Sequence, residues 1–432
     1  MNQQRFSYSR HASAFVVALL LIVITGCQKK TQSDPSDVVN DAPEQTEATV
    51  AEIAPPAFEV TSEQLLSARL TPEQAADGWI RLFDGVTLFG WQITGQANWR
   101  VQDGTIVVDQ GDRSFLCTST QWQDFELTLE FNADEKTNSG VFVRTPLDPQ
   151  DPEIDCYEIN IAPDDNPFPT ASVVKRQKVV DDAPEQSFGQ WRRMTIRVQG
   201  QEVEIKLDDQ VVCQYSDEDN LPAGRISLQH NSGRVAFRDI RLKPIGLESL
   251  LDDELSQWKK YPDMPGDFKM TDDGALQVKG GRTQLESKQS FDDFVLLAEY
   301  KMADVTMNSG IFFRCIPGDQ MMGYECQISN EFKDNNRLSP ADCGTGGIFR
   351  RQDARVVAGD ADQWATVVLN THDEHIAAWV NGVQVSDWSD DREEHENPRK
   401  GKRLEAGTLM IQGHDPGTDA LFRQFKITPI GG

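Results

Sequence analysis

The chain repeats itself, and the repeat limits what it can fold into. Asn138-Ser-Gly-Val-Phe-Val-Arg144 returns as Asn308-Ser-Gly-Ile-Phe-Phe-Arg314, a displacement of 170 positions. Around it, Asp124-Phe-Glu-Leu-Thr-Leu-Glu130 matches Asp293-Phe-Val-Leu-Leu-Ala-Glu299, and Tyr157-Glu-Ile-Asn-Ile161 matches Tyr324-Glu-Cys-Gln-Ile328. Further on, Lys175-Arg-Gln177 answers Arg350-Arg-Gln352, Trp191 answers Trp364, and Gly224-Arg-Ile-Ser-Leu-Gln229 answers Gly407-Thr-Leu-Met-Ile-Gln412. The displacement drifts by amounts that loop insertions produce. Two copies of one domain follow, 61–246 and 247–432, with their boundary near Gly246.

Each copy reads as short strands. Phe125–Phe131, Val141–Arg144, Met194–Val198, Val203–Leu207 and Arg225–Gln229 alternate or are β-branched, with turn residues between them. Asn381-Gly382 between two such runs signals a two-residue hairpin. One short helix is expected at Thr71-Pro-Glu-Gln-Ala-Ala-Asp-Gly78, where Thr caps, Pro occupies the first turn and Gly terminates. No long 3.6-residue period appears elsewhere, so the fold class is all-β, two sheets packed face to face in each copy.

Strand alternation assigns faces. Ile311, Phe313, Cys315, Tyr324, Cys326, Ile328, Leu409 and Ile411 are expected inside. Phe312, Arg314, Glu325, Gln327, Gln412 and His414 are then left on the opposite face. The first copy divides alike: Val141, Val143, Tyr157, Ile159 and Ile161 inside, and Phe142, Arg144, Glu158, Asn160 and Gln229 outside. An arginine, a carboxylate, amides and a ring on one face suit a sugar. Amides and charges bond hydroxyls, and the ring packs on C–H faces. Gly344-Thr-Gly-Gly347 ahead of Arg350 and Arg351 lacks the lysine and spacing of a phosphate loop and reads as a turn or binding-loop element.

The remaining features bound the setting. Arg5, Arg10 and His11 precede the apolar run Ala14–Ile24, which breaks at Thr25-Gly26-Cys27. Residues 1–27 therefore read as a secretion signal whose Ile-Thr-Gly-Cys end resembles a lipobox, making Cys27 the expected lipidation site. The run is shorter than the roughly 20 apolar residues of a spanning helix. Contact with the membrane is thus expected through a lipid anchor only, placing the protein in the cell envelope, in the periplasm or at the outer membrane. Residues 28–60 are acidic and rich in Ala, Pro, Glu and Thr, the composition of a disordered tether. A formal net charge of −27 argues against nucleic acid, whose affinity needs cations at phosphates. Six cysteines beyond Cys27 carry no CxxC pair or zinc spacing, leaving structural thiols or one or two bridges.

Trp79-Ile-Arg-Leu-Phe-Asp-Gly-Val-Thr-Leu-Phe-Gly-Trp91, the Asn-Ser-Gly-Val-Phe-Val-Arg segment, Tyr-Glu-x-x-Ile and Gly-x-Ile-x-Leu-Gln-His230 together resemble the 3-keto-disaccharide hydrolase family, whose domains are also described as 3-keto-glucoside 1,2-lyases and 3-keto-2-hydroxyglucal hydratases. The second copy lacks the Leu-Phe-Asp-Gly opening but keeps fuller forms of the later motifs. The resemblance implies a concanavalin A-like jelly roll in each copy and a carbohydrate substrate. It also implies cleavage of 3-keto-glycosides by hydrolysis or by elimination and hydration. A ketone at C3 acidifies the hydrogen on C2, so the site needs a base and, at the enolate oxygen, cationic or amide donors or a divalent metal. On this view Glu325 is the base, Arg314, Arg350 or Arg351 faces the oxyanion, and Phe312, Gln327, Gln412 and His414 hold the sugar. Glu158, Arg144 and Arg176, with Phe142, Asn160 and Gln229, are the first-copy counterparts, and the richer second copy is favoured as the active one. The cofactor is left open. The alternative is a lectin-like lipoprotein that binds sugar without chemistry, since one carboxylate per face falls short of the usual glycosidase pair.

Overall fold

A computed structural model describes residues 60–431 apart from 182, 185 and 186. The signal segment, Cys27 and nearly all of the tether lie outside the described residues. Among those that are described, no helix is long and apolar enough to cross a membrane.

The fold is all-β. Each copy pairs an eight-stranded sheet with a five-stranded one. In the first copy the smaller sheet runs Trp91–Thr94, Ser114–Thr118, Arg225–Ser232, Asn138–Thr145, Tyr157–Ile161. In the second it runs Trp258–Lys260, Thr283–Phe291, Gly407–Gly413, Asn308–Cys315, Tyr324–Ser329. All these neighbours are antiparallel, so one face of each sheet can close a core while the other stays available. Asn381 and Gly382 turn the expected hairpin with φ of 50° and 83°, the left-handed pair that a two-residue turn demands.

The alternation argument holds for most of the site strands. Val141, Val143, Tyr157, Ile159 and Ile161 lie in the first core, and Ile311, Phe313, Tyr324, Cys326, Ile328, Leu409 and Ile411 in the second. It fails at one place in each copy. The register slips between Phe312 and Cys315, and Arg314 takes φ +47°; Arg144 does the same at φ +47° in the first copy. A bulge inserts one residue, so the face assignment reverses beyond it. Cys315 therefore lies outside with Phe312, Met321 and Met410 rather than in the core.

The helix Pro72–Ala76 forms as expected, with Thr71 and Gln74 bonding reciprocally. A second helix, Ser62–Leu66, precedes it with the same capping arrangement at Thr61 and Gln64. Its Leu65, with Ala68, packs in the core of the second copy although it lies at the head of the first. The copies also share apolar surface. Trp379 of the second packs in a tilted arrangement at 5.7 Å from Trp122 of the first and donates to the Arg81 carbonyl at 3.0 Å. Val295, Leu297 and Val368 join the first core, and Arg355 pairs with Asp84 at 2.9 Å. The six described cysteines are all buried free thiols.

Candidate functional site

The outer face of the five-stranded sheet in the second copy opens into a cleft of about 380 Å³. Glu325 and Gln327 reach it from the edge strand, Asn308 from the adjoining strand and Gln412 from the one beyond, and loops bring Arg282, Met321, Asp342, Phe349, Arg350, Arg399 and His414. A smaller annex of about 170 Å³ shares Glu325, Phe349, Arg350 and Arg399 and adds Arg351.

Glu325 is the centre of the arrangement. It pairs across the strands with Phe312 and is 7% exposed. Burial pushes its carboxyl up to about 7, opposed by Arg399 and Arg350 and reinforced by Asp342. The nearest cation, Arg399, stands 3.8 Å away, beyond hydrogen-bond range. The glycine of Asn-Ser-Gly explains why the carboxylate fits: a Cβ on Gly310 would lie 2.8 Å from Glu325 Oε1 and 3.2 Å from the Phe312 ring. That motif glycine makes room for the acid and the ring together.

Asp342 is a second carboxylate with the opposite environment. It accepts from Asn308 Nδ2 at 2.9 Å and from Gln327 Nε2 at 3.5 Å, and Gln327 also donates to Asn308 Oδ1 at 3.0 Å. The cleft thus holds two carboxyl groups in different settings, Glu325 dry and raised, Asp342 engaged by two side-chain amides.

The loop 316–323 roofs one side. Gln284 accepts from Met321 N at 2.8 Å, Glu286 accepts from Gly318 N at 2.9 Å, and Arg399 donates to the Met321 carbonyl at 3.0 Å. Gln412 donates to Met321 Sδ at 3.4 Å. His414 stands at the rim, its Nδ1 2.8 Å from Asp415.

Several expected residues are placed elsewhere. Arg314 is not in the cleft. The bulge turns its guanidinium to the end of the sheet, where it donates to Asp293 at 2.6 Å and to the carbonyls of Asp292, Asp373 and Arg403. Arg144 is held alike by Asp124, Asn220 and the carbonyls of Gln123 and Leu221. Phe312 is fully buried beneath Met321, so no sugar can stack on it; Arg399 lies over its ring at 5.6 Å. Phe142 is equally buried, at 5.1 Å from Phe115. Arg176 is locked between the Tyr157 and Tyr215 rings and bonds Asp217 at 2.9 Å, a structural role. Asn160 donates to the Phe168 carbonyl. Glu158 and Gln229 do share the outer face, and burial raises Glu158 to about 7 against the pull of Arg113.

Arg282, Asn308, Asp342 and Arg399 were not singled out as site residues from the sequence. Asn308 stood in the repeat motif, where it served only as a marker. Asp342 and Arg399 fall in stretches that have no counterpart in the first copy. The span from Tyr324 to Arg350 is 26 residues against 18 from Tyr157 to Lys175, and the connection 390–406 has 17 residues where 217–224 has eight. Unmatched insertions flanking matched motifs were the available signal.

Among the described residues, the one group of carboxylate and histidine ligands close enough to share a cation is Asp293, His372 and Asp373. Asp293 there already holds Arg314, and none of the three lines the cleft. Among the described residues, those lining the cleft do not form such a group.

The comparison with known families falls on both copies. The profile of the 3-keto-alpha-glucoside-1,2-lyase-like domain matches residues 78–243 and again 246–428. A 3-keto-disaccharide hydrolase of Bacteroides thetaiotaomicron is 26% identical, the match covering 39% of this chain and 79% of that protein. Among solved structures, a candidate glycosyl hydrolase from Parabacteroides distasonis superposes with a TM-score of 0.36 at 19% identity over 41% of this chain and 99% of its own. A carbohydrate-binding module from Bacillus subtilis gives 0.27 at 15% identity over 36% and 95%.

Proposed function

This chain belongs to the family of 3-keto-alpha-glucoside-1,2-lyase-like domains, and from that premise we propose that its second copy cleaves 3-keto-glycosides by elimination followed by hydration. Carbohydrate is the substrate class that the family and its named relative support. The single observation that carries the reaction is Glu325. It is a nearly dry carboxyl, raised to about 7, at the floor of a sugar-sized cleft with Arg350 and Arg399 as its nearest cationic neighbours.

The steps follow from those groups. Glu325 accepts the proton on C2, and the C2–H electron pair moves toward C3, placing negative charge on the C3 oxygen. Arg350 and Arg399 are the donors for that charge, in a site where exclusion of water strengthens them. The enolate collapses, the C1–O bond breaks, and the departing oxygen takes up the proton that Glu325 accepted, directly or through water, which returns the base to its starting form. Water then adds across the resulting glycal. Asp342, fixed by Asn308 and Gln327, is placed to anchor sugar hydroxyls. A base with a midpoint near the working pH combines a usable deprotonated fraction with strong driving force.

The test is release of the leaving group from 3-keto-glucosides and from the matching unoxidised glycosides, with and without divalent metal. Release from the keto substrates alone supports the enolate route. Sugar binding without release from either would make the protein a binding module instead. We further propose that the protein acts outside the cytoplasm on a lipid at Cys27. Loss of labelled-lipid incorporation on Cys27→Ser is the expected result, and unchanged incorporation would refute it.

A further inference from the structure

The cleft is cationic in a chain of formal net charge −27, and its cations are unspent. Arg350 makes no hydrogen bond or ion pair through its guanidinium among the described residues; it lies 5.1 Å over the Phe349 ring. Among the described residues, Arg351 donates only to the carbonyls of Arg350 and Arg399, at 3.2 and 3.1 Å. Arg399 bonds the Met321 carbonyl and stops 3.8 Å short of Glu325. All three converge on the annex, where Glu325 is the lone carboxylate of the lining. Of the acids of the same long connection, Glu394, Glu396 and Glu405 line a different pocket, and Asp390 is held by Arg392.

The release of Arg351 can be traced. Its first-copy counterpart Arg176 is bound to Asp217, which also accepts from Tyr157 at 2.9 Å. The second copy keeps the tyrosine and the acid, with Tyr324 donating to Asp390 at 2.7 Å. There Arg392, from the insertion, takes the acid in two bonds of 2.7 Å. The neighbouring position changes likewise: Lys175 is tied to Asp151 at 2.8 Å, whereas Arg350 is not tied. A surplus of guanidinium groups around one concavity selects an oxyanion, which they bind in paired, directed bonds.

Resting on the assignment of this cleft as the sugar site, we propose that its substrate carries a negative group, a uronate carboxylate or a sulfate ester, seated in the annex against Arg350, Arg351 and Arg399. The site would then discriminate charged from neutral sugars through binding, before any chemistry.

Calorimetry on the whole chain tests this without turnover. The probes are a glucuronate-terminated disaccharide, its 6-sulfated glucose analogue, the neutral disaccharide and inorganic sulfate. At low ionic strength one or both charged sugars should bind at least about tenfold more tightly than the neutral one, and the tighter of the two identifies the group. Arg351→Gln should remove most of that preference and Arg351→Lys should retain part of it, with unchanged thermal midpoints certifying the fold. Equal affinities, a preference that survives Arg351→Gln, or inorganic sulfate binding as well as the sugars would overturn the proposal. Charge-selective binding with no release from keto substrates would leave it standing and remove the reaction instead.

Discussion

The two copies share a strand order, a bulged arginine at the sheet end and a buried glutamate on the outer face, yet it is the second copy's glutamate that lines the charged cleft. In the first copy the floor is Phe115, Cys117, Phe142 and Cys156, an apolar cluster that fills itself. The positions of Phe115 and Cys117 are taken in the second by Gln284 and Glu286, which hold the roof loop by its backbone. Arg113, Lys175 and Arg176 are each bonded within the first copy, to the Pro149 carbonyl, Asp151 and Asp217. Their counterparts Arg282, Arg350 and Arg351 face the cleft. Two insertions supply Asp342 and Arg399. The lesson is that the repeated scaffold provides the acid, while the loops decide whether it meets a substrate.

The largest expected effect concerns the acid itself. Glu325→Gln should lower the rate on a 3-keto-glycoside by about 10²–10⁴-fold, the usual contribution of a general base. Steady-state release of the leaving group measures it, and a variant that keeps its rate removes Glu325 from the mechanism.

Next comes the glycine that seats it. Gly310→Ala puts a methyl 2.8 Å from the carboxylate oxygen, whereas Gly140→Ala meets nothing nearer than 3.2 Å, the Ile159 carbonyl and the Phe142 ring. The first should cost about 10²-fold in rate, as a displacement of about 1 Å does in a preorganised site. The second should leave the rate near wild type, and equal losses would break the contrast.

Stability should show symmetry where activity does not. Both Glu158 and Glu325 are raised to about 7 from the ordinary 4.5. An acid with a higher midpoint when folded holds extra protons in the folded state between those two values, so stability falls as pH rises through that window. Above pH 7 the cost is complete, and either Glu→Gln variant should gain about 2–3 kcal/mol at pH 8, with the gain vanishing below pH 4.5. Denaturant titrations at the two pH values would expose a copy that departs from this.

A smaller effect sharpens the electrostatics. Arg399 pulls the Glu325 midpoint down, so Arg399→Gln should move the rising limb of the pH–rate profile upward from about 7. An unmoved limb would separate the titrating group from Glu325.

Much of this was legible in the residues. Period-two alternation placed Glu325, Gln327 and Gln412 together because three antiparallel strands carry them in register. It misplaced Arg314 and Arg144 because a bulge leaves little mark in sequence; its sign is the backbone angle. It misjudged Phe312 because facing away from the core does not mean facing solvent, and here Met321 covers the ring. Asp342 and Arg399 ride on irregular loops, whose course depends on contacts far away in the chain. The second helix was missed because Thr61-Ser-Glu-Gln64 is too short to show a period, although its capping pair was present.

The most direct test of the asymmetry is turnover of a 3-keto-glycoside by Glu158→Gln beside the wild type. The account predicts an unchanged rate, with the rising limb still near pH 7. A collapse in rate on loss of Glu158 would contradict it and return the chemistry to the first copy.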